Sequence, residues 1–137
     1  MTKDFKDMDD EELISQYPKI IEELKERKII TTKNIPGELG EFYVIKKYTS
    51  TSGLPNLQKA PVGTKNVDAI SRNGKRYAIK SASGTLTGVF ASIPTKDDGQ
   101  VYFEFLVVLR FNDNYTVKSI YEFTWNDFLK YRTFKKP

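Results

Sequence analysis

The chain has 137 residues and a net charge of +4 from 22 basic and 18 acidic side chains, and it contains neither cysteine nor histidine. That length suits one domain with a real core. The missing residue types exclude disulfides, thiolate or imidazole zinc sites, cysteine nucleophiles and the usual histidine base, so any metal would be held by oxygen, as magnesium or manganese prefer.

Residues 9–16 read as a short helix with Asp9 or Asp10 as N-cap and acidic residues in its first turn. Pro18 at a first helical position restarts the pattern over residues 18–28, with Ile20, Ile21 and Leu24 directed to a core. Charged residues 22–27 form a solvated face. The next helix begins near Asn34-Ile35-Pro36 and runs to about Tyr48. At about 100° per residue, Glu41 falls beside Val44, Ile45 and Tyr48 in an apolar sector, whereas Glu38 sits at its edge. Burying an unpaired carboxylate is expensive, so Glu41 requires a partner, either a structural cation or a functional group.

Ser50–Pro55 is a loop, and a short extended piece follows at Leu57–Ala60. Asn73-Gly74 lies between two alternating segments and signals a β-hairpin. A three-residue loop, Arg72-Asn73-Gly74, closed by glycine in the left-handed region, puts Val67, Ala69, Tyr77 and Ile79 on one apolar face. In that register Asp68 lies across from Ala78, and Lys80 is its diagonal neighbour. Small hydroxylated residues follow at 81–85, then a strand over Leu86–Ile93 and a turn at Asp97-Asp98-Gly99. Val101–Phe111 is the strongest strand, with Phe103 and Phe105 assigned to the core. Tyr115–Phe123 is another strand, and Thr124 with Asp127 forms a capping box that opens a last helix to about Tyr131. Helices, strands and a final helix indicate an α/β (α+β) domain with a central mixed sheet flanked by helices. A single unit spans 1–137, made of a helical segment 1–33, a core 34–132 and a tail 133–137.

From Tyr43 to Lys80 the only acidic residue is Asp68, against eight lysines and arginines. A lone carboxylate in a basic stretch suits a phosphodiester partner. Lys65, Arg72, Lys75 and Arg76 are the candidate contacts to a nucleic-acid backbone, with Ser81, Ser83 and Thr85. Phosphodiester hydrolysis needs a metal held by carboxylates, an oriented water and positive charge near the developing negative charge. Asp68 and Glu41, with the carbonyl of Ile79, are the candidate metal ligands, and Lys80 the group that orients water or stabilises phosphate. No apolar run is long enough to span a bilayer, and the first residues do not read as a signal peptide, so a cytoplasmic protein is expected.

Gly37-Glu38-Leu39-Gly40-Glu41-Phe42-Tyr43, Val67-Asp68-Ala69-Ile70 and Tyr77-Ala78-Ile79-Lys80 together resemble the restriction-endonuclease-like superfamily, written PD-(D/E)XK. Its order is a helix bearing a glutamate, then a hairpin with aspartate on one arm and an acid or amide two residues before a lysine on the other. Residues 29–34 and 55–61 also resemble segments of small bacterial domains of this kind. The resemblance implies a magnesium- or manganese-dependent DNA endonuclease of a restriction or related defence system, with Asp68, Lys80 and Glu41 catalytic. A homodimer is the simplest way to supply two active sites. Ala78 departs from the pattern, because the family places an acid or amide there. Either Glu41 supplies the missing oxygen, or the domain is an inactive nucleic-acid-binding module that kept the fold. A third reading is an interaction domain in which Asp68 and Lys80 form only a cross-strand ion pair, a contribution of at most about 1 kcal/mol.

Overall fold

A computed structural model describes residues 3–31, 35–61, 63–82 and 93–132. Helix α1 (Asp10–Glu26) is opened by a capping box in which the Asp9 carboxylate accepts from Glu12 N–H. It continues through Pro18 as one helix, where two were expected. Pro18 lacks the N–H that would bond the Ile14 carbonyl, but no residue of α1 is buried, and an exposed carbonyl is satisfied by water. Lys28, in the left-handed region at φ 59°, ends the helix. The Ile29 N–H donates to the Leu24 carbonyl and the Lys28 N–H to that of Lys25, a Schellman motif.

Helix α2 (Ile35–Ser50) leads to the strands β1 (Leu57–Lys59), β2 (Ala69–Ser71), β3 (Arg76–Ala82), β4 (Phe105–Phe111) and β5 (Val117–Thr124). They form one sheet in sequence order, antiparallel throughout except for the parallel β3–β4 pair. The described residues therefore form an α+β arrangement with a five-stranded mixed sheet. The hairpin has the expected register, Ala69 opposite Tyr77 and Ile70 opposite Arg76, and Gly74 takes the left-handed φ of +82°.

Both faces of the sheet are covered. On one, Val44 and Tyr48 of α2 pack on Leu57, Ala69, Tyr77, Ile79, Val107, Leu109 and Phe111. Each large side chain fully withdrawn from water there contributes about 1.5–3 kcal/mol. On the other face, Ala78 and Leu106 meet Phe103 and the Trp125 and Phe128 of helix α3 (Trp125–Tyr131). Thr124 caps α3 through the expected box with Asp127. The strand expected from Val101 starts only at Phe105, so Phe103 and Phe105 serve opposite faces: Phe103 belongs to the α3 core, and Phe105 stacks on Tyr77.

The strand expected over Leu86–Ile93 lies outside the described residues except for Ile93, which packs at the edge of the α3 core. Among the described residues no helix is long and apolar enough to cross a membrane.

Candidate functional site

The hairpin register breaks at Asp68. Its backbone N–H donates to the Tyr77 carbonyl at 2.8 Å, although Tyr77 is already the partner of Ala69. Two consecutive residues thus face one, which is the geometry of a β-bulge, a device that re-aims a side chain. The expected alignment of Asp68 with Ala78 is corrected accordingly. Its carboxylate Oδ2 accepts the Ile79 N–H at 2.7 Å, a bond that the alternating ladder would give to the carbonyl of Val67. Asn66, at φ 60°, turns the chain just before this point, and the Asp68 carbonyl accepts from Ala60 N–H at 2.9 Å. Backbone bonds on both sides and a side-chain bond ahead therefore fix Asp68 between β1 and β3.

Glu41 reaches the same carboxylate from α2. The two carboxyl groups share a hydrogen bond, and Glu41 is pushed up from its ordinary 4.5 to about 7. Burial is the largest cause, followed by the Asp68 charge and that hydrogen bond; the Lys59 charge acts in the opposite direction, and Glu38 adds a smaller upward push. Glu38 itself accepts from the Thr31 N–H at 2.9 Å and from the Thr31 hydroxyl.

The helix approaches β3 closely at Gly40, where a Cβ would lie 1.9 Å from the Ser81 hydroxyl oxygen. That hydroxyl donates to the Pro36 carbonyl at 2.9 Å, so Ser81 anchors the start of α2. Gly40 and Ser81 together set the height of Glu41 over the sheet.

Lys59 is the residue that sequence reasoning passed over. It pairs with Ala69, next to Asp68, and shares its strand face with the buried Leu57, which packs under α2. The signal was available in the two-residue alternation of Leu57 and Lys59. Lys80 follows the alternation of β3, which places it on the face of Ala78, opposite the α2-covered face of Tyr77 and Ile79. The expected sharing of one face by Asp68 and Lys80 is therefore corrected: the bulge turns Asp68 toward α2 and leaves Lys80 behind the sheet. Arg110 is a second cation along that face, since its register partner is Ala82, and its Nε is buried with no hydrogen-bond partner among the described residues.

The remaining candidates are dispersed. Lys65, Arg72 and Lys75 are exposed, the last two at the hairpin turn. Arg76 is held by Glu104, with Nη2 to Oε2 at 2.6 Å and Nε to Oε1 at 3.0 Å, and by the Val101 carbonyl. Ser83 and Thr85 lie outside the described residues.

Two carboxyl groups and one strand edge are thus gathered. In an extended strand the N–H and C=O of one residue face the same neighbour, so the Ile79 carbonyl is directed to the edge where its N–H meets Asp68. Among the described residues no group of three or more acidic, histidine or cysteine side chains gathers, so a cation here would have two carboxylates and a backbone oxygen. That donor set is all oxygen, and a cation would offset both the burial and the Asp68 charge that raise Glu41. Comparison with known protein families and with curated proteins returns no match for the chain.

Proposed function

We propose that this protein is a magnesium- or manganese-dependent DNA endonuclease on a restriction-endonuclease-like scaffold, a cytoplasmic enzyme of a restriction or related defence system. The observation that carries the reading is the Glu41–Asp68 carboxyl pair, held at the β3 edge by the Ile79 N–H. Asp68, Glu41 and the Ile79 carbonyl would hold the cation. When bound, it supplies Lewis-acid stabilisation of the phosphate and lowers the pKa of a coordinated water. Lys59 supplies positive charge on the α2 side, beside the carboxyl pair, whereas Lys80 lies on the opposite face of the sheet and is assigned no part in the reaction. The water oxygen forms the new bond to phosphorus as the bond to one ester oxygen breaks. Lys65, Arg72 and Lys75 contact the backbone of the DNA outside the reacting phosphate.

A second reading has its own support. Ala78 is 1% exposed and packed among Phe103, Leu106, Trp125 and Phe128, so this position offers an apolar core where the superfamily pattern expects a ligand. An inactive module that retains binding would show metal-independent, salt-sensitive affinity for DNA, because phosphate contacts release counterions. Restoring the acid by Ala78→Glu would bury a charge in that core and destabilise the protein, so it is a poor test of activity.

The discriminating experiment is cleavage of duplex, single-stranded and branched DNA with magnesium or manganese. The endonuclease reading predicts cutting that falls at least about 100-fold in Asp68→Ala and Glu41→Ala, with the fold intact. Salt-sensitive binding without any cutting by the wild-type protein would select the second reading.

A further inference from the structure

We propose that α1 is a self-association surface, pairing antiparallel with α1 of a second copy of this chain. The helix carries an apolar stripe that no part of the described domain covers: Leu13 is 43% exposed, Ile14 70%, Tyr17 65% and Ile20 48%. A contiguous exposed stripe of this kind marks an interaction site more often than scattered apolar residues do.

The spacing identifies the occupant. Leu13, Tyr17, Ile20 and Leu24 are separated by four, three and four residues, the alternation of a two-helix seam. The series is also symmetric about the midpoint between Pro18 and Lys19. A two-fold axis there sets Leu13 against Leu24 of the second copy and Tyr17 against Ile20 of the second copy. The series is thus compatible with the isologous contact that a two-fold dimer requires.

Charge follows the same symmetry. The axis that matches the apolar residues also sets Asp10, the first residue of the helix, level with Arg27 of the second copy at both ends of the seam. One repulsive pair, Glu11 with Glu26, lies between them. Arg27 is already paired with Glu23 at 3.0 Å, but both are well exposed, and such a bond re-forms elsewhere at little cost. Antiparallel packing also sets the positive N-terminal end of each helix dipole beside the negative end of the other. A groove lined by Ile20, Glu23, Leu24, Arg27 and Ile29 lies where Leu13 of the second copy arrives.

The test uses the full chain, which has no native cysteine. Sedimentation over a concentration series should show a monomer–dimer equilibrium, and Tyr17→Asp should raise the dissociation constant at least tenfold without changing the circular dichroism. Leu13→Cys and Leu24→Cys proteins mixed with an added oxidant should form a disulfide-linked dimer. Leu13→Cys alone should not, because the two copies of position 13 would be about 16 Å apart along the seam, beyond disulfide reach. A monomer at every concentration, a dimer indifferent to Tyr17→Asp, or ready crosslinking of Leu13→Cys with itself would overturn the proposal.

Discussion

The carboxylate of Asp68 takes a backbone N–H that belongs, in a regular ladder, to a strand carbonyl, and this single substitution of acceptor brings the side chain to Glu41. Glu41 then titrates near 7 in the folded protein, above its ordinary 4.5. Between those values the folded state holds the extra proton, so this group's contribution to stability is greatest below about 4.5 and is lost as pH rises through about 7. Glu41→Gln removes the titration. Chemical denaturation at pH 5 and pH 8 should show the wild-type protein losing on the order of 1 kcal/mol more than the variant between the two, the value being reduced by solvent screening. Equal losses in the two proteins would show that Glu41 is not raised in the folded state. A cation that binds the ionised pair competes with the same proton, so cleavage should rise with pH through about 7.

At the scale of elements, the contact between α2 and β3 depends on the absence of a side chain at Gly40. Gly40→Ala gains up to about 1 kcal/mol of helix propensity but displaces the Ser81 hydroxyl from its bond to Pro36, and overpacking of this kind costs about 1–3 kcal/mol. Thermal melts should show net destabilisation, and Ser81→Ala should relieve part of it. A stabilised Gly40→Ala protein would mean that α2 rides higher than described. The hairpin was readable in the sequence because Asn73-Gly74 and the alternation of Ala69, Tyr77 and Ile79 admit one register as far as the bulge. The caps at Asp9 and Thr124 were readable because the capping residues stand next to the helices they open. The bulge at Asp68 was not, since it arises from a side chain displacing a distant carbonyl, and neither local propensity nor periodicity encodes that competition. Pro18 misled for a related reason, because its cost depends on whether the orphaned carbonyl meets water, which is a property of the whole surface. Glu41 was legible as a carboxylate in need of a partner, while the identity of that partner was fixed only by the register break at residue 68.

Across the whole molecule, two cores clamp one five-stranded sheet, and the carboxyl pair sits at the edge where β2 gives way to the loop before it. The positive charge along residues 43–80 surrounds that edge in sequence, and Lys59 brings part of it to the pair in space. The unpaired α1 offers a separate means of holding two such sites together. The most direct test of the central claim is calorimetric titration of magnesium and manganese into the wild-type protein and Asp68→Asn at pH 8. The account predicts one saturable site per chain in the wild-type protein and its loss in the variant, with the melting temperature of only the wild type raised by the metal. Equal binding by both proteins, or none by either, would contradict it.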